Sequence, residues 1–185
     1  MKSISFIFGG EAKVKIMRLF TFNPNLSFPL AEIAYRVKER SNVARREINN
    51  LVKAGFIKKR GKNYTVNSTY IFRPAIENFL VDAAPLSDKE IIKRLSRAGS
   101  MKLILLSGVF LHDKDARVDV LVVGDHIKQS IVETVISYIE SQLGKEVRYA
   151  IFDTPDFQYR LGIYDKLIRD ILDYPHRKVL NKLGI

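Results

Sequence analysis

Between Ser41 and Gly55 the apolar and polar positions separate cleanly around a helical axis. Val43, Ala44, Ile48, Leu51 and Val52 fall on one side, and Asn42, Arg45, Arg46, Asn49, Asn50 and Lys53 on the other. Ser41 is expected to cap the first turn through its hydroxyl, and Gly55 to turn the chain out of the helix. Upstream, helical spacing over residues 11–22 offers Val14, Ile16, Met17, Leu19 and Phe20 to a core, and Asn23-Pro24-Asn25 ends it. A second short helix is predicted from Pro29, with Leu30, Ile33, Ala34 and Val37 at i, i+3, i+4, i+7. Downstream, residues 56–59 and 64–66 read as strands around Arg60-Gly61-Lys62-Asn63, with Gly61 and Asn63 suited to unusual φ. A short helix follows over 75–81, with Ile76, Phe79 and Leu80 on one side.

A composition shift at Ala83-Ala84-Pro85-Leu86-Ser87 divides the chain into residues 1–82, a linker at 83–87, and residues 88–185. In the second part Ser87 and Glu90 form a capping-box pattern ahead of a helix over about 88–98, with Ile91, Ile92 and Leu95 facing a core. Strands are predicted at 102–106, 118–123 and 146–152. A long helix is predicted over 127–143 and a last helical stripe runs through Leu161, Tyr164, Leu167, Ile168 and Ile171. The expected class is therefore α+β, with a small mixed sheet flanked by helices in the second part.

Charge changes this picture from architecture towards partners. The chain has 31 Lys+Arg against 20 Asp+Glu, net +11. Residues 1–82 hold 15 basic and 6 acidic side chains, whereas 83–185 hold 16 and 14. A basic field confined to one part, with arginine and asparagine on an outward helix face, is the footprint of a polyanion binder. Arginine can pair with guanine and asparagine with adenine through two bonds each, which suits the major groove of duplex DNA. The candidate DNA-binding residues are Asn42, Arg45, Arg46, Asn49 and Lys53 on the helix, with Lys58, Lys59, Arg60 and Lys62 on the hairpin. No apolar run approaches the ~20 residues that span a bilayer, and no strongly amphipathic basic helix carries the Trp/Phe/Leu face that suits a membrane surface. The opening residues carry too short an apolar stretch for a secretory signal, so a cytoplasmic location is expected. The absence of cysteine excludes disulfides, thiolate metal sites and cysteine nucleophiles.

The order of three helices and a hairpin, with the phrase Arg46-Glu-Ile-Asn-Asn-Leu-Val-Lys-Ala-Gly-Phe-Ile57, resembles the winged helix-turn-helix domain of bacterial and archaeal transcription regulators over about residues 9–72. The resemblance implies a third helix that enters the major groove and a hairpin, the wing, that touches backbone or minor groove. It implies Asn42, Arg45, Arg46 and Asn49 as readers.

A second resemblance covers about residues 88–180. Leu106-Ser-Gly-Val-Phe110 followed by Arg117-Val-Asp-Val-Leu-Val-Val-Gly124 is similar to the polymerase-β-type minimal nucleotidyltransferase fold. That family holds a nucleotide triphosphate at a Gly-Ser pair and two Mg²⁺ ions at an Asp-x-Asp pair, with a third carboxylate from the next strand. Here Gly108 and Asp119 match, Val109 stands where the serine belongs, and Arg117 replaces the first aspartate. Glu146 is the candidate third carboxylate. A guanidinium at Arg117 would repel metals that need convergent oxygens, so the site is expected to be degenerate, with no catalytic residues, metal or cofactor. Asp113 and Asp115 form another Asp-x-Asp, placed in a polar loop. His112, His126 and His176 lack metal-ligand spacing, and the tyrosines at 149, 159, 164 and 174 suit packing.

The expected function is a sequence-specific double-stranded DNA-binding transcription regulator, not an enzyme. Its second domain serves oligomerisation or ligand sensing, and a homodimer is expected because one helix reads few bases. Two alternatives stand beside it: an active nucleotidyltransferase targeted by the basic winged helix, and a protein-interaction, antitoxin-like module whose second domain pairs with a toxin-like or enzymatic protein. The expected partners at the second domain are a protein or a nucleotide-like ligand.

Overall fold

The computed structural model describes residues 2–83, 86–111, 113 and 115–185. The protein is α+β, with one antiparallel and one mixed sheet. It divides into two compact units, Met1–Leu86 with Tyr138–Lys145, and Ser87–Ser137 with Glu146–Ile185. Among the described residues no helix is long and apolar enough to cross a membrane.

The first unit runs α1 (Lys2–Ile7), α2 (Glu11–Phe22), β1 (Phe28–Pro29), α3 (Leu30–Arg36), α4 (Ser41–Lys53), β2 (Ile57–Arg60), β3 (Asn63–Val66) and α5 (Arg73–Asp82). The apolar spacing in α2, α3 and α4 produces one core, in which Ile16, Phe20, Ile33, Ala44, Ile48, Phe56 and Leu80 are almost wholly buried. Helix α4 begins at Ser41 itself. The extended residue before it is Arg40, which makes no side-chain cap bond, so the expected Ser41 cap is not formed. Its other end follows the expectation: Gly55 (φ 79°) donates to the Val52 carbonyl and Phe56 to that of Leu51, the paired bonds of a Schellman ending.

The hairpin pairs Ile57 with Val66 and Arg60 with Asn63, so the loop is only Gly61-Lys62. Gly61 (φ 60°) supplies the positive φ, and Asn63 is a strand residue rather than a second special turn position. Strand β1 joins β3 at Phe28 and Pro29, giving the order β1-β3-β2. Residues 138–145, expected in the second domain, belong to the first unit. The cause is close contact: a Cβ on Gly144 would lie 2.6 Å from the Arg18 carbonyl carbon, and Asn23 Nδ2 donates to the Gly144 carbonyl at 2.6 Å.

The second unit contains α6 (Asp88–Leu95), β4 (Ser100–Leu106), a 3-10 turn (Gly108–Phe110), β5 (Val120–Asp125), the first turns of α7 (Gln129–Leu143), β6 (Tyr149–Asp153), α8 (Thr154–Gly162), α9 (Lys166–Asp173) and β7 (Arg177–Asn181). The sheet order is β6-β5-β4-β7, with β5 and β6 parallel and the other pairs antiparallel. One side of the sheet meets Phe157, Ile168 and Ile171 from α8 and α9 over Leu103, Leu105, Leu121 and Val123. Ser87 caps α6 by accepting from the Glu90 amide, while the Glu90 carboxylate takes Arg94. The expected single last helix is two: α8 ends through Tyr164 (φ 56°), and Asp165 caps α9 by accepting from the Leu167 and Ile168 amides. Strand β7 was not predicted from the sequence.

Candidate functional site

Helix α4 buries Ala44, Ile48 and Leu51 and leaves Asn42, Arg45, Arg46, Asn49, Asn50 and Lys53 exposed. The two-residue loop then brings Lys58, Lys59, Arg60 and Lys62 onto the exposed part of the hairpin that follows in the same unit. Ile57, Tyr64 and Val66 turn inward from it. All nine candidate DNA contacts are therefore exposed.

Their freedom differs. Among the described residues Arg45, Lys53, Arg60 and Lys62 have no anionic partner, whereas Lys58 Nζ meets Thr69 Oγ1 at 3.4 Å and Lys59 Nζ lies 6.0 Å from the Tyr64 ring centre. Asn42 Oδ1 accepts from the Val43 amide at 2.8 Å. Arg46 is the most constrained: its Nε donates to Glu47 Oε1 at 2.9 Å, although 69% of the side chain remains exposed.

Glu47 is the residue that helical patterning alone passed over. Its side chain is 6% exposed, on the core-facing side of α4, where a carboxylate needs partners. It has three: Arg46, Asn50 Nδ2 at 3.4 Å, and Lys13 Nζ of α2 at 3.5 Å. Burial pushes its carboxyl up, but the bonds from Arg46 and Asn50 and the charges of Lys13 and Arg46 outweigh it and hold the pKa below its ordinary value. An acidic residue at the edge of an apolar stripe, next to Arg46 and three before Asn50, was the available signal.

In the second unit the structure brings Gly108, Val109 and Asp119 together and adds Arg148. Asp119, at the entry to β5, has a side chain only 1% exposed. Its Oδ1 accepts from the Val109 amide at 2.9 Å and Arg148 Nη2 at 3.1 Å; its Oδ2 accepts from the Arg148 amide at 2.7 Å and Arg148 Nε at 3.1 Å. Four donors thus saturate both oxygens. The Asp119 bond, outweighing partial burial, holds the Arg148 guanidinium still more firmly protonated. Gly108 (φ 52°) makes the approach possible, since a Cβ there would fall 1.9 Å from Asp119 Oδ1.

Arg117 points its charge elsewhere, pairing with Asp170 at 2.6 Å, and Glu146 is exposed and not among the partners of Asp119. Asp113 Oδ1 accepts from the Asp115 amide at 2.9 Å, a local turn. Among the described residues no group of three His, Cys, Asp or Glu side chains could hold a metal ion. His112 lies outside the described residues, as do Ala84 and Pro85 of the expected linker. Arg148 left no mark in the sequence, because its partner lies 29 residues away.

No family model, curated protein or solved structure matches this chain.

Proposed function

We propose that the protein is a sequence-specific double-stranded DNA-binding transcription regulator that acts as a homodimer. In this reading the first unit is a winged helix-turn-helix domain, α4 is its recognition helix and β2-β3 its wing. One observation carries it: five exposed polar and cationic side chains on α4 precede four exposed cations on the adjoining hairpin, in the part of the chain with the basic excess. The strand order β1-β3-β2, which extends the hairpin to three strands, supports the same architecture.

The second unit acts in assembly or ligand sensing rather than nucleotidyl transfer. The antiparallel β4-β5 pair and parallel β6 support the resemblance to a minimal nucleotidyltransferase, and the saturated Asp119 supports its inactivity. Metal-bridged phosphates need free carboxylate oxygens, and Asp119 has donors on both of its own.

The test is selection of duplexes from a random pool by the full chain, followed by gel shifts at several salt concentrations. A two-fold repeated motif is expected, with log affinity falling linearly in log salt. Changing Arg45 and Arg46 together to alanine should weaken binding to the selected duplex by about thirtyfold or more, from ~1–3 kcal/mol for each base-reading arginine. No retention of duplex at low salt would sink the proposal.

A further inference from the structure

We infer that Glu47 is a positioning residue for base readout, a buried carboxylate that orients Arg46 and Asn50 on α4 before any DNA arrives. The inference rests on the DNA-binding reading and deepens it, by assigning part of its specificity to a residue that does not face the ligand.

The geometry carries it. Glu47 is fixed by burial beneath α4 and by Lys13 of the neighbouring helix α2. Its two oxygens are divided, Oε1 taking Arg46 Nε and Oε2 taking Asn50 Nδ2. Arg46 is thereby held by the inner end of its guanidinium, with neither terminal nitrogen bonded among the described residues and both able to form the two-pronged bond to a guanine. Asn50 keeps its amide oxygen and one N–H, the pair needed for an adenine. An exposed arginine and asparagine otherwise sample many rotamers, and ordering them on binding weakens the complex. Arg45, one residue earlier and without an anionic partner among the described residues, has no such anchor.

The carboxylate also has a second, opposite effect. Its negative charge partly offsets Lys13 and Arg46 beneath the groove-facing surface, which lowers attraction to any DNA regardless of sequence. Orientation favours the correct duplex while the charge disfavours all duplexes, so both raise the ratio of specific to non-specific binding.

The experiment compares the full wild-type chain with Glu47→Gln on two probes, the selected duplex and a scrambled duplex of equal length. Glu47→Gln is expected to bind the selected duplex about tenfold more weakly, from the lost ordering of two side chains. It should bind the scrambled duplex as well as the wild type or better. In an Arg46→Ala/Asn50→Ala background the same change should leave selected-duplex affinity no weaker. Equal tenfold losses on both probes, or an undiminished loss in that background, would overturn the inference by showing a merely structural role.

Should Glu47→Gln not fold, side-chain nitrogen relaxation of the free wild type reads the bond directly. Arg46 Nε–H is expected to be markedly more ordered than Arg45 Nε–H, and equal mobility would overturn the inference. A wild type that selects a motif while Glu47→Gln retains full discrimination refutes the positioning role alone. A wild type that binds no duplex refutes both readings.

Discussion

Glu47 in the first unit and Asp119 in the second are both buried carboxylates that meet an arginine which is itself at least half in solvent. Glu47 spreads its oxygens over three side chains and takes only one nitrogen from Arg46. Asp119 receives two nitrogens of Arg148 and two backbone amides. The first arrangement leaves hydrogen-bonding capacity facing outward, on arginine and asparagine tips. The second turns it inward and closes a strand entry over a tight turn. A buried carboxylate can thus orient a surface or seal a site, and the number of donors it receives from backbone decides which. Backbone amides cannot be redirected to a ligand, whereas the far end of a side chain can.

The largest test of that contrast lies at the sealed site. Asp119→Ala leaves the Val109 and Arg148 amides without their acceptor, and an unpaired buried donor costs ~1–3 kcal/mol. A loss of about 3 kcal/mol in denaturant unfolding is expected once the half-exposed Arg148 is discounted. Gly108→Ala should cost a similar amount alone, because its Cβ would collide with Asp119 Oδ1. In the Asp119→Ala background that collision is gone, so Gly108→Ala should then cost only the strain of a positive φ, about 1 kcal/mol. Additive costs would show that the turn and the carboxylate are independent, and the contrast would fail.

A smaller effect is expected at Arg148. Arg148→Ala removes two of four donors from Asp119 but leaves both backbone amides, at a cost of about 1 kcal/mol for a half-exposed pair. It should not create a metal site, since Arg117 pairs with Asp170 and Glu146 is not among the partners of Asp119. Millimolar Mg²⁺ is therefore expected to leave the thermal midpoint of Arg148→Ala unchanged. A clear rise would mean that the guanidinium alone had excluded the ion, and that Asp119 is less fully committed to its backbone donors than its saturation implies.

What the sequence disclosed about these two places follows from the range of the interactions involved. Helix α4 was legible because Ala44, Ile48 and Leu51 repeat at 3.6-residue spacing and Gly55 supplies the one backbone conformation its ending needs. The hairpin was legible because Gly61 sits between two short β-rich segments. Strand β1 was not, since two residues show no alternation and Pro29 reads as a helix start. Strand β7 carries Arg177, Lys178 and Asn181, and it is a strand because β4 pairs with it, a non-local cause. The break at Tyr164 hid behind an apolar stripe that continues across it, with tyrosine, 76% exposed, where glycine is usual. At the sites, Gly108 and Asp119 could be read from local motif spacing, whereas Arg148 could not. Its role exists only once the parallel pairing of β5 and β6 has brought residue 148 beside residue 119.

The smallest effect concerns the charge on Glu47. In the folded chain its carboxyl is held below its ordinary value, because the bonds from Arg46 and Asn50 and the charges of Lys13 and Arg46 outweigh the burial that pushes it up. A depressed folded value means that the unfolded chain binds the proton more readily, so the ionised group contributes stability above the unfolded pKa, about 4.3. That contribution is lost as pH falls through the lowered folded value. The stability difference between wild type and Glu47→Gln should therefore be flat from neutral pH down to about 5 and shrink below about 4. A difference that stays constant into that acid range would mean that Arg46, Asn50 and Lys13 do not favour the charged form. The first half of the comparison would then be lost, because a carboxylate that its partners do not hold ionised cannot hold those partners in return.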